Sequence, residues 1–385
     1  MKEKIAKRLL EILDEVFQIS SELYKHPETA EHEFMASQLL TDYLTRKNFV
    51  VERPYLDVET GFRAEYSGEK PGLNVGLFCE YDALPDIGHG CGHNLISAAS
   101  IAAALTLKPI VDEIGGTITL FGTPAEETNG VKGIYGEKGA YNHIDIGMMA
   151  HPDGVSRSSG SSLAIKAIQY EYFGKCSHAA FAPEEGINAL DSVILLFNGI
   201  NALRQHLKTD VRIHGIIDHG GTAANIVPEY SRARFYIRAA EKEYLEEVEE
   251  KVYKIAQGAA QMTGARLKVS YYEAAYDNMV SNQTLSAAFD QNLRELTGEH
   301  IRAAALGASM DMGNVSHLIP AIHPMVGVGN PALTVHTREF ADCTVTQAGK
   351  SFIYKAALAL ACTAWDVMTD QALYQKIRSE FENNG

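Results

Sequence analysis

Several things are scarce in this chain of 385 residues, and each scarcity removes a class of protein. Cysteine is one: Cys79, Cys91, Cys176, Cys343 and Cys362 form an odd set without regular spacing, which does not make a disulfide framework in a chain of this size. A reducing, cytoplasmic setting is the expectation. Positive charge is another, with 34 Lys and Arg against 49 Asp and Glu. The formal charge of −15 repels polyanions and argues against general binding of nucleic acid or anionic membrane. Long apolar runs are missing too. The longest stretch without Asp, Glu, Lys or Arg, residues 312–337, carries three histidines and three prolines, whereas a membrane-spanning helix needs about 20 predominantly apolar residues. The first residues, Met-Lys-Glu-Lys-Ile-Ala-Lys-Arg, run into an amphipathic pattern with no apolar leader or cleavage site behind them, so nothing marks the chain for export. Gly-x-Gly-x-x-Gly before a helix, a Walker loop, a Gly-x-Ser-x-Gly elbow, internal repeats and Pro-rich linkers are all absent.

What is present is ordinary globular material, 46% hydrophobic and 22% charged. A single core stops growing at about 250 to 300 residues, so two structural units are expected. Ile5, Leu9, Leu13, Val16, Phe17 and Leu23, then Phe34, Leu39, Leu40, Tyr43 and Leu44, recur at helical spacing and predict two helices. Apolar runs at residues 73–78, 117–122 and 144–149 predict buried strands separated by helical segments, hence an α/β fold with a mostly parallel sheet. In such sheets ligands bind beyond the carboxyl ends of the strands, and each of these three runs ends in polar residues. After about residue 160 the pattern changes to strands near 163–173, 232–238 and 267–272 with helices near 188–207 and around Leu245, Val248, Val252 and Ile255. We therefore expect an α/β domain in two segments, residues 1–160 and 276–385, interrupted by an α+β domain at residues 161–275.

Four short segments carry chemistry. The loop from Glu80 to Asn94 crowds two histidines, a cysteine and three acids; Cys91 and His93 flank Gly92, so a thiolate and an imidazole can turn toward one ion. Taken alone, each is more ordinarily a buried thiol or a capping histidine. Glu126 and Glu127 end the run at 117–122; in an extended segment they point to opposite sides, so one could hold a metal while the other takes a proton from water. His151 follows the run at 144–149, and His336 precedes the last helix. A structural zinc would be closed by four protein ligands, typically in Cys-x-x-Cys pairs, and no such pair occurs, which favours an open catalytic site.

With these residues in place, the chain resembles the two-metal peptidases and amidohydrolases of family M20. The resemblance runs in order through His26-Pro27-Glu28, Tyr81-Asp82-Ala83-Leu84-Pro85, His89-Gly-Cys-Gly-His93, Pro124-Ala-Glu-Glu127, His151-Pro152, Gly174-Lys-Cys-Ser-His-Ala179, Gly220-Gly221, Asn225, Pro228, Arg238 and His336. The Cys-Gly-His-Asn-Leu form is most similar to the amidohydrolase branch, near its aminobenzoyl-glutamate hydrolase and β-alanyl-lysine dipeptidase types. The resemblance implies two divalent metal ions in each copy of the chain, zinc or manganese with cobalt as a third candidate. Cys91 would bridge them, with His93, Glu127, His151 and His336 completing the ligand set, and Glu126 would be the general base. It further implies a ferredoxin-like dimerisation domain and a homodimer in which His178 reaches the partner's site as an oxyanion donor. Asn225 and Arg238 would bind the substrate's carbonyl or carboxylate. The expected reaction is hydrolysis of the amide bond of an N-acyl amino acid or small dipeptide with a free carboxylate. Alternatives are hydrolysis of aminobenzoyl-glutamate and, from another class, a catalytically silent metal-binding or interaction protein on the same fold.

Two departures stand out. Asn94 replaces an aspartate common after Cys-Gly-His, removing a charge that could tune the metal or hold a histidine, and Met310 places a thioether where relatives carry an acid or hydroxyl, implying a more apolar pocket.

Overall fold

The computed structural model describes residues 1–306 and 308–384 and contains two compact units, Met1–Ser161 with Met279–Gly385, and Ser162–Asn278. In the first unit α1 (Lys2–Lys25) and α2 (Phe34–Arg46) lead into β1 (Val50–Glu52), β2 (Phe62–Ser67) and β3 (Asn74–Cys79). There follow α3 (His93–Ile114), β4 (Thr117–Gly122), α4 (Val131–Glu137), β5 (Ile146–Met148) and β6 (His151–Asp153). Its second segment carries α7 (Gln283–Thr297), α8 (Met312–Ser316), β11 (Ala321–Ile322), β12 (Met325–Gly327), α9 (Arg338–Cys343), α10 (Gln347–Thr369) and α11 (Gln371–Asn384).

The six strands of the main sheet are ordered β1-β2-β4-β3-β5-β11, parallel from β4 through β11 and antiparallel at β1 and β2. β3 and β4 are buried along nearly their whole length, which is why they read as unbroken apolar runs rather than alternating ones. α1 buries one stripe, Ile5, Leu9, Leu13, Val16, Ile19 and Leu23, as a surface helix should. α3 is apolar on every side and long enough by composition to cross a bilayer, yet 83% of its apolar window is buried by neighbours that include α1, α10 and β3. Registers pair Cys79 with Gly122 and Leu77 with Met148, so the chain leaves β3, β4 and β5 on one side of the sheet. Glu80, the Thr123–Glu127 turn and His151 all issue from that side.

The strand read at 144–149 is β5, and a second short strand, β6, follows it at once. β5 keeps the main sheet, while β6 leaves it and pairs with β12 in a separate parallel ribbon, so His151 is itself a strand residue.

The second unit runs β7 (Ala164–Phe173), α5 (Ala189–Leu203), β8 (Arg212–His219), β9 (Tyr230–Ala239), α6 (Lys242–Thr263), β10 (Arg266–Tyr271), a ferredoxin-like β-α-β-β-α-β order. Its antiparallel sheet is ordered β10-β7-β9-β8. Ala233, Phe235, Ile237 and Ala239 of β9 pack into a core with Val193, Leu196, Val248 and Val252 of the two helices, and the alternate residues Arg232, Arg234, Tyr236 and Arg238 form the other face.

Candidate metal centre

Gly92 makes the first half of the centre. It sits at φ 77° as the residue before α3, a conformation that disfavours any side chain, and an added Cβ would lie 2.5 Å from Pro152. That sharp turn swings Cys91 and His93 to the same side. His93 is fully buried; its Nδ1 is 2.9 Å from the Asp82 carboxylate, which accepts its proton and leaves Nε2 facing the cluster. His151 is fixed in the same manner, Nδ1 donating to its neighbour's carbonyl at Pro152 (2.8 Å), so that its Nε2 lies 3.4 Å from the Cys91 sulfur.

Glu126 and Glu127 do not lie in extended chain, and this corrects the sequence reading of them as pointing apart. The chain turns at Ala125, a non-glycine residue at φ 61°, whose N–H donates to the buried Glu33 carboxylate (2.9 Å). The Glu127 N–H donates to the second oxygen of Asp82 (3.0 Å), so one carboxylate aligns both His93 and the turn. Both glutamates reach the same place: an oxygen of each lies 3.9 Å from His93 Nε2. His336, at φ 66° with its N–H on the Gly90 carbonyl, brings Nε2 to 3.4 Å from Glu127 Oε1 and is half exposed.

Two donor groups result, each with atoms mutually within 4.8 Å: Cys91, His93 and His151, and Cys91, Glu127 and His336. They share the Cys91 sulfur. His93 Nε2 and Glu127 Oε1 are buried without a hydrogen-bond partner, an arrangement costly in an empty polar cavity and suited to cations. The donor set of thiolate, imidazole and carboxylate therefore fits a pair of divalent metal ions.

The adjacent glutamates are electrostatically unlike. Burial, with the carboxylates of Glu80 and Asp311, pushes Glu126 well above the usual carboxylate range. Glu127 is held down to about 2 because the adjacent His336 and His93 imidazoles outweigh its burial. Burial raises the Cys91 thiol, so the sulfur needs a cation to become a thiolate.

Asn94, read as the loss of a charge that could hold a histidine, faces away from the centre. Its amide donates to Ser20 and Thr344, turned into the core, and the role of holding the histidine belongs to Asp82. His89 is likewise a core residue bonded to the Leu23 carbonyl, and Glu28 accepts the N–H groups of Met35 and Ala36 at the start of α2. Residues passed over are Glu80, Lys132, Asp311 and His323, all buried beside the cluster. Glu80 was counted among the acids of the loop read for chemistry but given no role, Asp311 stood beside Met310, and Lys132 carried no sequence signal at all.

The remaining candidates lie in the second unit. His178 is exposed, and its Nδ1 accepts from the N–H groups of Ala180 and Phe181, which leaves the proton on Nε2 as a free-standing donor. Asn225 is on the adjoining loop, its carbonyl accepting from the Ala179 N–H (3.0 Å). Arg238 is elsewhere: β9 pairs Tyr230 with Phe173 at the end nearest His178 and Arg238 with Ile165 at the other, eight residues or roughly 27 Å away. Among the described residues, then, one unit assembles Cys91, His93, Glu126, Glu127, His151 and His336, and the other holds His178 with Asn225 apart from Arg238.

Comparison with known proteins agrees with this chemistry. Residues 77–359 match the profile of "Peptidase family M20/M25/M40". The chain is 35% identical to the Xaa-Arg dipeptidase of Mus musculus, over 99% of this chain and 92% of that one, and 34% identical to its Homo sapiens counterpart over 97% and 91%. It is 26% identical to one component of the p-aminobenzoyl-glutamate hydrolase of Escherichia coli, over 94% and 91%. Among solved structures, an aminobenzoyl-glutamate utilization protein from Klebsiella pneumoniae shares the fold with a TM-score of 0.77 at 20% identity, covering 94% and 98% of the two chains. A Bacillus subtilis protein described as a dinuclear metal binding peptidase does so with a TM-score of 0.63 at 20% identity, over 91% and 98%. The chain thus belongs to peptidase family M20/M25/M40 and is a metal-dependent hydrolase of its amidohydrolase and dipeptidase kind.

Proposed function

We propose that this protein hydrolyses the amide bond of a small dipeptide or N-acyl amino acid that carries a free carboxylate. The observation that carries the reading is the convergence of Cys91, His93, Glu126, Glu127, His151 and His336 on one side of the main sheet. In this reading Cys91, His93 and His151 would hold one cation, and Glu127 and His336, again with Cys91, would hold a second. Zinc, manganese or cobalt held there would polarise the substrate carbonyl and make water nucleophilic near neutral pH. Glu126 takes the proton of the attacking water at a carboxylate oxygen and returns it to the leaving amine, a role that its burial beside Glu80 and Asp311 favours.

His178 donates from Nε2 to the developing oxyanion, Asn225 assists, and Arg238 binds the carboxylate in bidentate fashion. The separation of roughly 27 Å between the Arg238 end of the sheet and the His178 end bears on assembly. A dipeptide spans only about 7 Å, so both groups can serve one substrate only if they come from two copies of the chain. A homodimer with composite sites, joined through residues 162–278, follows from this reading. Domain segments at 1–161 and 279–385 then supply the metals, and the ferredoxin-like unit supplies recognition.

Between substrates, a dipeptide is favoured by the Xaa-Arg dipeptidases, which are more similar to this chain than p-aminobenzoyl-glutamate hydrolase is. The test is protein loaded separately with zinc, manganese or cobalt and offered dipeptides, acyl-amino acids and aminobenzoyl-glutamate, with amine release as readout. Release from dipeptides with a free C-terminus is expected. No release from any member with both metal positions filled overturns the reading in favour of a silent binding protein.

A further inference from the structure

Lys132 is one of the least expected side chains in the molecule. It is 0% exposed, and its ammonium faces two carboxylates: Nζ donates to Glu80 Oε1 and to Asp311 Oδ1, each at 2.6 Å. Its backbone N–H adds a longer bond to Asp311 Oδ2 (3.3 Å). One residue therefore ties three elements together: Glu80 is the first residue beyond β3, Lys132 lies in the first turn of α4 directly after the glutamate turn, and Asp311 precedes α8. Gly133 keeps α4 tight against α8, since an added Cβ would meet Asn314 at 3.1 Å.

Stability alone is a poor reason for this arrangement. A buried ion cluster loses several kcal/mol per ion in desolvation, and apolar residues of the same volume commonly serve as well or better. The position of the cluster supplies another reason. The carboxylate oxygens of Glu80, Glu126 and Asp311 lie within 4.8 Å of one another, and Glu80 Oε2, buried without a hydrogen-bond partner, is 3.5 Å from His93 Nε2. Three carboxylates packed this closely repel one another and would rotate apart or take up protons. The ammonium opposes that on two of them, and both of its bonds fix the rotamers of groups that flank Glu126.

We propose that Lys132 is a positioning residue for catalysis: by clamping Glu80 and Asp311 it holds the carboxylate of Glu126 in the place and orientation from which it takes the water proton. In this reading Lys132 acts through its two carboxylate partners rather than on the substrate. The idea rests on the reading of Glu126 as the base, and the two fail separately.

The experiment compares Lys132→Met with the double variant Lys132→Met/Asp311→Asn, which removes one of the orphaned charges should the single change impair folding. Metal content by elemental analysis, thermal unfolding, and kcat and KM for a substrate that the parent cleaves are the readouts. In whichever variant unfolds cooperatively, we expect two metals retained, KM within about threefold of the parent and kcat lowered about 10²-fold, the scale of losing precise placement of a general base. A folded, metal-replete variant with kcat within about threefold of the parent overturns the proposal. So does a loss of kcat that tracks loss of metal and is reversed by adding metal, or failure of both variants to fold, since either makes Lys132 a purely structural residue. Full activity of Glu126→Gln in the same assay would instead remove the base reading and leave the Lys132 clamp without a target.

Discussion

In the first unit Cys91 and His93 are buried with their donor atoms already facing one another, whereas in the second His178 and Asn225 stand exposed on adjoining loops and Arg238 is half-buried at the far end of the same sheet. The two regions solve different problems. Holding cations demands preorganised donors whose unused nitrogens are pinned, as Asp82 and the Pro152 carbonyl pin His93 and His151. Recognising a substrate demands groups that meet it from outside, and these gain nothing from burial before it arrives. The contrast teaches that the donor groups of the first unit come together within one chain, while on the proposed reading the groups of the second are legible only in terms of what approaches them.

That contrast can be broken most severely at Glu126. Glu126→Gln should keep its metals and lose turnover by about 10³-fold, since removal of a general base typically costs about 10² to 10⁴; a kcat near that of the parent would strip the first unit of its proposed base. Cys91→Ala should reduce metal content below two ions per chain, because the shared sulfur serves both donor groups, and unchanged stoichiometry in elemental analysis would return Cys91 to the core.

The second unit is tested by mixing. Copies of inactive His178→Ala and inactive His336→Ala, allowed to exchange, should recover about a quarter of parent activity, because half of the dimers are mixed and each mixed dimer has one intact composite site. Confirmed heterodimers without recovery would place His178 and the metals in the same copy. Arg238→Ala should raise KM about tenfold with a smaller change in kcat, and Arg238→Lys should not restore it, since an ammonium cannot make the bidentate contact. The smallest effect is expected at Asn94→Asp. Its amide serves Ser20 and Thr344 in the core, so the change should lower the unfolding temperature by several degrees through an unpaired buried charge and leave metal content and kcat as they were.

Much of the first unit was readable because burial on both faces writes β3 and β4 as unbroken apolar runs, and because ligand residues cluster in short loops after them. β8 was missed for the opposite reason: it is an edge strand whose only buried residue is Ile213, so no periodicity betrays it. Of the six residues at the candidate centre, Cys91 with His93 and Glu126 with Glu127 stood in short paired motifs, and the set as a whole came from the family resemblance. Lys132, Asp311 and Glu80 had no such pairing, because a clamp formed between side chains 52 and 179 positions apart leaves no local pattern. The misreading of Glu126 and Glu127 as opposed neighbours came from assuming extended chain, where the positive φ of Ala125, stabilised by the distant Glu33, makes a turn instead.

His336 gives the centre an inside and an outside. Its imidazole is about half open to solvent, while His93, across the shared sulfur, is sealed. An ion leaning on His336 should therefore be the first to leave for a chelator and the first to be replaced from the medium, and an ion held by His93 should exchange more slowly. Two metal positions in one cavity would then keep different time, the inner identity slow to change and the outer one set by whichever cation is abundant that day.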